Sequence, residues 1–189
     1  MTQFTRHTPD TAPAAAKPVL EGAQKSLGFV PNLYATMAEA PALLIAYSQL
    51  SELLNKTSFD ATEQQVVLMT NNRLNGCDYC MAAHTTISQA SGVPADVIEA
   101  LRNGTAIADP KLEALRQFSI IVNETRGWPE QSDLDAFFAV GYGQQQVLEV
   151  ILGTAMKVLT NYTNHVASTP LDAAFQPNAW TPADTQKAA

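Results

Sequence analysis

Apolar residues recur along this chain at steps of three and four positions, and this spacing constrains its fold more than any other feature. Side chains at that spacing form one apolar stripe along an α-helix. The clearest example consists of Leu43, Leu44, Tyr47, Leu50, Leu53 and Leu54. No segment alternates between polar and apolar residues as a half-buried strand would. The sequence therefore predicts an all-α fold.

Prolines and capping residues indicate where the helices begin. Pro41, Pro94 and Pro110 each stand where the first turn of a helix accommodates a missing N–H. Asp60 and Glu63 have the spacing of a capping box, in which each side chain bonds to the other residue's backbone N–H. Besides the helix that starts at Pro41, these signals predict helices over 60–74, 77–91, 94–102, 110–125, 130–140 and 144–166. Six to eight helices with short connections favour a helical bundle.

The length of 189 residues is usual for one domain with its own core. We expect that domain to cover 18–175. The stretch 1–17 is polar and rich in Ala and Pro, so we expect a flexible arm there and a loose tail over 176–189. The helix around 146–158 is apolar on more than one face, which favours a homo-oligomer that covers the second face.

A formal net charge of −7 offers little to phosphate groups, so neither nucleic acid nor a membrane is an expected partner. No stretch approaches the roughly 18 uninterrupted apolar residues of a transmembrane helix. The first residues, MTQFTRHTPD, contain neither a basic leader nor an apolar core. The sequence therefore predicts a cytoplasmic protein. Without a glycine-rich phosphate loop after a strand, and with only three histidines, no flavin, haem or nicotinamide cofactor is expected.

The only two cysteines, Cys77 and Cys80, are three positions apart, and His84 follows four positions later. On a helix this spacing places all three side chains on one face. A helix N-terminus lowers the pKa of a thiol, and a nearby imidazole can take its proton directly or through water. Two such thiols can complete a redox cycle: one attacks a peroxide and becomes a sulfenic acid, and the other condenses with it to a disulfide. The spacing alone does not decide which thiol attacks.

Other interpretations of the cysteine pair remain open. A structural zinc ion requires a fourth ligand, and the remaining histidines are His7 in the arm and His165 far along the chain. A thioredoxin-like motif would follow a strand, and the sequence predicts none. The two thiols could also pack as small hydrophobic side chains without chemical function.

Three more residues are candidates for the wall of a pocket around the thiols. Tyr79 could donate a hydrogen bond there, or could simply pack half-buried. Asn161 and His165 lie one helical turn apart at the end of a very apolar helix. They either line the pocket or form an ordinary helix C-terminus with His165 near the negative end of the dipole.

One segment of the sequence resembles a known family. The residues concerned are Glu63-Gln64-Gln65-Val66-Val67-Leu68 and Leu74-Asn75-Gly76-Cys77-Asp78-Tyr79-Cys80-Met81-Ala82-Ala83-His84. They resemble the signature of the alkylhydroperoxidase D-like and carboxymuconolactone decarboxylase superfamily, in its peroxidase-related branch. The resemblance implies an all-α fold, homodimers, trimers or hexamers, and reduction of hydroperoxides. It also implies that Cys80 attacks the peroxide, Cys77 resolves the intermediate and His84 is the base of a proton relay.

The chain departs from that signature at its carboxylate position. Eleven residues separate this position from the first cysteine, which places Gln65 where the family has a glutamate. An amide can orient a water molecule but cannot keep a proton. Glu63 stands two residues earlier, about 200° around a helix, so we expect it to face away and to serve the capping box.

These observations favour a thiol-dependent peroxidase or disulfide oxidoreductase with a hydroperoxide or disulfide substrate and an external dithiol reductant. One alternative is an enzyme of the carboxymuconolactone decarboxylase type, which would not depend on the cysteine pair. Another is a helical module without catalytic activity, either zinc-stabilised or redox-sensing.

Overall fold

The structure, a computed structural model, describes residues 3–181. Within that range the chain forms nine α-helices, one 3₁₀ helix and no strand, which confirms the predicted all-α fold. The helices are α1 (Lys17–Leu27), α2 (Asn32–Met37), α3 (Pro41–Leu54), α4 (Ala61–Leu74), α5 (Asp78–Ala90), α6 (Ala95–Asn103), α7 (Pro110–Glu124), α8 (Gln131–Ala139), α9 (Gln144–Ala167) and the 3₁₀ helix Ala173–Asn178.

The helices α3 to α9 begin and end close to the predicted positions, whereas α1 and α2 give no clear sequence signal. The helix α2 has only six residues. Of the eleven residues of α1, only Leu20 and Ala23 are buried. A helix of six residues is too short for a repeating apolar stripe, and a helix that buries two residues shows only a weak one. The expected number of six to eight helices was therefore too low.

The turn between α4 and α5 sets the position of the cysteine pair. At the start of α4, Asp60 accepts a hydrogen bond from the Glu63 N–H at 2.8 Å, and Glu63 accepts one from the Asp60 N–H at 3.0 Å. This confirms the predicted capping box. At the other end, Gly76 adopts a left-handed backbone with φ 66°, which glycine tolerates at little cost. Helix α5 then begins at Asp78, so Cys77 is its N-cap residue rather than its first helical residue.

Helix α4 is the centre of the bundle. It packs against α5, α6, α7 and α9, and the consecutive residues Val66, Val67, Leu68 and Met69 are all buried. Each buried side chain of this kind stabilises the fold by about 1.5–3 kcal/mol. Because its side chains contact helices on several sides, α4 fixes where those helices lie relative to one another.

The core has two main parts, one of which surrounds the thiols. On the side of α7 and α8, Phe137 stacks between Phe118 and Tyr142 with ring centroids 4.4 and 4.5 Å apart. The other part contains both cysteines and buried residues of α1, α2 and α3. The first three helices therefore cover the start of α5.

Helix α9 approaches α4 closely at Gly153. A Cβ atom at this position would lie 2.7 Å from Val67 Cγ1, closer than two carbon atoms can pack. Glycine therefore permits this crossing. One turn later along α9, the side chain of Lys157 reaches α5, where its ammonium lies 3.0 Å from His84 Nε2.

The segments before α1 and after α9 both lie against the bundle. The His7 N–H donates to the Ala35 carbonyl at 3.0 Å, and the His7 imidazole lies 2.7 Å from the Glu39 carboxylate. After α9, the Trp180 indole N–H donates to the Arg102 carbonyl at 3.0 Å. Residues 182–189 of the expected tail lie outside the described range.

One face of α9 exposes large apolar side chains in the single chain. They are Leu148, Ile151, Tyr162 and Val166. The homo-oligomer expected from the apolar pattern of this helix stays a prediction. None of the helices between residues 3 and 181 has the length and hydropathy needed to cross a bilayer.

Candidate active site

The side chains of Cys77 and Cys80 approach to 3.5 Å at the N-terminus of α5. Both are buried and both are free thiols. They differ in surroundings, because Cys80 lines a cavity and Cys77 does not. Only a small movement separates this contact from the bonding distance of a disulfide.

The pKa values of the two thiols are shifted in opposite directions. Burial raises the pKa of Cys80, but the opposing influences are stronger together and lower it to about 5. They are a hydrogen bond from Cys77, the charge of Lys157, and hydrogen bonds from Thr160 and Asn161. The same hydrogen bond, which the Cys77 S–H donates, is the largest influence that raises the pKa of Cys77, and burial adds to it. Cys80 is therefore a thiolate at neutral pH and Cys77 a thiol.

Asn164 supplies a further contact to the sulfurs. Its amide nitrogen lies 3.2 Å from Cys80 Sγ and 3.8 Å from Cys77 Sγ, so an N–H points at the more acidic sulfur. The side chain is buried, and its Oδ1 has no hydrogen-bond partner within the described residues. Asn164 is thus held with its donor towards the thiolate.

A cavity of about 290 Å³ begins at Cys80 and extends between α1, α2, α3 and α5. Its walls are mainly apolar and aromatic and include Phe29, Leu33, Tyr34, Tyr47, Tyr79 and Phe175. Leu27 and Ile87 also line it and are exposed, so the cavity opens at the surface. The polar groups that face it, including Cys80, His84 and Lys157, lie at its inner part.

His84 is held between two side chains. Gln65 Oε1 lies 2.9 Å from Nδ1, and the Lys157 ammonium lies 3.0 Å from Nε2. An amide oxygen only accepts and an ammonium only donates, so the proton of the neutral imidazole sits on Nδ1. Burial lowers the pKa of His84 well below its usual value, and the charge of Lys157 lowers it further. His84 is therefore neutral.

This arrangement corrects one expectation. The sequence suggested that His84 accepts the proton of Cys80 directly or through water. Both ring nitrogens are instead engaged, by Gln65 and Lys157. The positive charge beside Cys80 comes from Lys157, which the sequence analysis did not identify.

The two polar residues at the start of α4 lie as the sequence predicts. Gln65 contacts His84, whereas Glu63 faces away, where it accepts hydrogen bonds from the Tyr142 hydroxyl at 2.9 Å and the Lys111 ammonium at 3.1 Å. Two residues correspond to about 200° around a helix, which explains their opposite directions.

Tyr79 lines the cavity, but its hydroxyl does not serve the thiols. It donates to the Asp172 carboxylate at 2.5 Å and accepts from the Leu33 N–H at 3.3 Å. The same carboxylate accepts the Asn32 N–H at the start of α2. Tyr79 and Asp172 therefore tie the segment after α9 to α2 and α5, and the adjoining Phe175 forms part of the cavity wall.

Asn161 is fully buried beneath the start of α5 rather than in the cavity wall. Its amide donates to Asn72 at 3.0 Å and accepts from Asn75 at 2.8 Å. Asn72 in turn donates to the Cys80 carbonyl at 3.2 Å. Asn161 thus supports Cys80 both through this network and through the hydrogen bond that lowers its pKa.

Of the two interpretations of His165, the one that places it in the wall of the thiol pocket is wrong. The side chain is exposed and lies beside the Tyr162 ring, with centroids 6.4 Å apart. Successive residues of a helix are about 100° apart, so the residue that reaches the sulfurs is Asn164.

Lys157 also belongs to the site, and the sequence carries a signal for it that the predicted site did not include. Lys157 is the only charged residue of α9 between Glu149 and His165. It shares a helical face with Asn161 and Asn164, four and seven positions later. A lone lysine in an apolar helix, in phase with two amides, indicates a buried polar site.

The side chains around the thiols are not grouped as metal ligands in the part of the chain that the structure describes. Within the described residues, no group of three or more His, Cys, Asp or Glu side chains is arranged to hold a metal ion. The polar side chains at the inner end of the cavity are a thiolate, an imidazole and an ammonium.

Part of the chain matches a known protein family. Residues 41–119 match the model of the carboxymuconolactone decarboxylase family. A comparison with curated protein sequences gives no match.

Solved structures share the fold at low sequence identity. One is an uncharacterized peroxidase-related protein from Ralstonia eutropha JMP134 with an alkylhydroperoxidase AhpD core: 19% identity, TM-score 0.82, covering 92% of this chain and 93% of that one. The apo debrominase Bmp8 has 21% identity and a TM-score of 0.77, covering 94% and 96%. A peroxidase-related protein from Silicibacter sp. TM1040 has 21% identity and a TM-score of 0.76, covering 93% and 97%.

Proposed function

We propose that this chain, whose residues 41–119 match the carboxymuconolactone decarboxylase family, is a thiol oxidoreductase that reduces organic hydroperoxides. The observation that carries the proposal is the asymmetric pair at the start of α5. A thiolate, Cys80, lies at the inner end of a cavity, and a thiol, Cys77, lies within 3.5 Å behind it.

In the first step the Cys80 thiolate attacks the terminal oxygen of the hydroperoxide. A sulfur–oxygen bond forms, the oxygen–oxygen bond breaks, and the alkoxide that leaves takes up a proton to become an alcohol. Cys80 becomes a sulfenic acid, so sulfur is oxidised and the peroxide is reduced by two electrons. The low pKa of Cys80 supports its role as the attacking residue, because the thiolate is the reactive form.

In the second step Cys77 condenses with the sulfenic acid. A sulfur–sulfur bond forms, the sulfur–oxygen bond breaks, and the hydroxyl group of the sulfenic acid leaves as water with the proton of the Cys77 thiol. Cys80, but not Cys77, lines the cavity, so an external dithiol that resets the pair would attack Cys80. Cys77 would then leave as the thiol.

We assign His84 a positioning role. Its Nδ1–H is fixed by Gln65, and its Nε2 receives an N–H of Lys157. It therefore holds the lysine ammonium in place at the inner end of the cavity. This role needs no proton transfer through Gln65, which as an amide could not complete one.

The cavity favours an organic substrate over hydrogen peroxide. Its volume of about 290 Å³ and its aromatic walls suit an apolar group, because burying apolar surface contributes about 25 cal/mol per Å². Hydrogen peroxide would leave most of this space unfilled.

The test measures consumption of cumene hydroperoxide with dithiothreitol as the reductant. We expect the native protein to turn over and Cys80→Ser to be inactive. Cys77→Ser should complete one reduction and stop as a sulfenic acid that dimedone traps. Turnover that survives unchanged in both variants would refute the proposal, and carboxymuconolactone turnover by the double serine variant would favour a decarboxylase.

A second candidate, reductive debromination of a small aromatic ring, is supported by the aromatic walls beside Cys80 and by the likeness to Bmp8, solved in complex with 2,3,4-tribromopyrrole. The carbon–bromine bond would be replaced by a carbon–hydrogen bond and bromide would leave. The Cys80 thiolate and the Cys77 thiol would become a disulfide, and the thiol proton would go to the carbon. Bromide released from a polybrominated pyrrole in step with disulfide formation would support it. An absence of bromide under conditions where cumene hydroperoxide is consumed would exclude it.

A further inference from the structure

Lys157 is a buried cation without a carboxylate partner among residues 3–181. Its side chain is 1% exposed, and it forms no ion pair with any Asp or Glu in the described part of the chain. A buried charge costs several kcal/mol unless an opposite charge compensates it. The fold must therefore provide an anion near Lys157 by other means.

The titratable groups around the inner cavity limit what that anion can be. From α5 they are Cys77, Tyr79, Cys80 and His84, from α3 Tyr47, and from α2 Tyr34. The Tyr79 hydroxyl donates to Asp172, and burial raises its pKa. Tyr34 and Tyr47 hydrogen-bond to each other, and burial, the larger influence on each, raises the pKa of both hydroxyls. The counter-ion of Lys157 is therefore the Cys80 thiolate.

Peroxide reduction removes this counter-ion. When Cys80 attacks, its negative charge passes to the departing alkoxide, and the sulfenic acid that remains is neutral. The alkoxide forms in the same cavity as the lysine ammonium. A strongly basic anion then lies beside a buried ammonium that has just lost its partner, which favours proton transfer between them.

We propose that Lys157 is the general acid of the reaction, which protonates the alkoxide as the oxygen–oxygen bond breaks. This inference rests on the proposed peroxidase function. In the balanced first step, thiolate, ammonium and hydroperoxide give sulfenic acid, neutral amine and alcohol. Condensation with Cys77 then gives the disulfide and water, and reduction by a dithiol returns one proton to the amine.

His84 and Gln65, the two side chains linked to Lys157 by hydrogen bonds, cannot take this role. His84 carries no proton on Nε2, the nitrogen that contacts Lys157, because Nδ1–H is given to Gln65. Gln65 has no acidic proton. Instead, His84 Nε2 aims the ammonium, and after proton loss it still binds one of the two remaining N–H groups of the amine.

The experiment compares two oxidants that differ in their need for a proton. Cumene hydroperoxide releases an alkoxide, whereas perbenzoic acid releases a carboxylate that leaves without protonation. Single-turnover rates are measured for the native protein and for Lys157→Met, at a pH where iodoacetamide labelling shows Cys80 of each to be fully ionised. Under this condition the native protein and Lys157→Met contain the same fraction of Cys80 thiolate, so a difference in rate does not come from a difference in Cys80 ionisation.

We expect Lys157→Met to lose about 100-fold or more in rate with cumene hydroperoxide, the scale of general acid catalysis, and less than about 10-fold with perbenzoic acid. Lys111→Met is the matched control, because it removes a lysine whose ammonium binds Glu63 away from the thiols. Both of its rates should equal those of the native protein.

Equal losses with both oxidants, or no loss with either, would overturn the assignment of Lys157. Loss of the alkyl hydroperoxide rate in Tyr47→Phe, but not in Lys157→Met, would give the role to the tyrosine. If Lys157→Met does not fold, Lys157→Gln replaces it, because the amide still donates to His84 but is not an acid. A native protein that consumes neither oxidant would refute the peroxidase function itself.

Discussion

Cys77 and Cys80 lie 3.5 Å apart, and the hydrogen bond between them moves their pKa values in opposite directions. The residue nearer the N-terminus of the helix is the weaker acid, although the helix dipole alone would favour it. After this hydrogen bond, the charge of Lys157 and the side chains of Thr160 and Asn161, all on α9, lower the pKa of Cys80 further.

The first prediction concerns the pH dependence of Cys80 reactivity. A thiol reacts as its thiolate, so alkylation by iodoacetamide should rise with pH and reach half its maximum near the Cys80 pKa of about 5. Cys77→Ala removes the S–H donor and should raise this midpoint by about one unit or more. A native midpoint at the ordinary value of a free thiol would contradict the asymmetry.

The second prediction restores a carboxylate beside His84. Gln65→Glu places a negative charge against Nδ1, so the pKa of His84 should rise, by about one unit or more. The new carboxylate also offsets part of the positive charge of Lys157, which lowers the pKa of Cys80. The pH at which Cys80 alkylation reaches half its maximum should therefore rise as well. The His84 pKa is measured by NMR titration and that of Cys80 by alkylation.

Glu63→Gln provides the control for that change, because it alters a carboxylate on the same helix that faces away from the thiols. It should leave both titrations unchanged while it weakens the capping box of α4, at a cost of about 1 kcal/mol. An equal shift in the two variants would show that the effect is not local to His84.

The third prediction separates two adjacent residues of α9. Asn164→Ala removes the N–H that lies 3.2 Å from Cys80 Sγ and should raise the Cys80 midpoint, because that hydrogen bond favours the thiolate. His165→Gln changes an exposed side chain and should leave the alkylation profile as it is. A shifted alkylation profile in His165→Gln and an unchanged one in Asn164→Ala would show that α9 presents a different face to the thiols.

The fourth prediction concerns the crossing of α4 and α9. Gly153→Ala places a carbon 2.7 Å from Val67 Cγ1, so it should lower the free energy of unfolding by about 1–3 kcal/mol. Adding Val67→Ala removes the clashing methyl groups and should recover part of this loss. Denaturant unfolding of the two single variants and the double variant measures the coupling, and strictly additive effects would contradict the close contact.

The thiol motif could be recognised from sequence because its geometry is local. Cys77, Cys80 and His84 share a helix face by spacing alone, and the opposite directions of Gln65 and Glu63 follow from the helical period. For the same reason the capping box at Asp60 was predicted correctly.

The partners of the motif depend on tertiary contacts and could not be located in the same way. Lys157 contacts a residue 73 positions earlier, and nothing in the local pattern specifies which helix its side chain meets. The choice between Asn164 and His165 depends on the rotation of α9 about its own axis, a difference of about 100° that only packing against α4 and α5 decides.

The far wall of the cavity is built by a different stretch of chain from the one that carries the sulfurs. Phe175 belongs to the short helix after α9, and Asp172 anchors that helix through Tyr79 and the start of α2. Replacing Phe175 with a smaller or larger residue would reshape the compartment without touching Cys77, Cys80, His84 or Lys157. Reactivity and molecular selection thus reside in separable parts of the polypeptide, so one can be altered while the other is conserved.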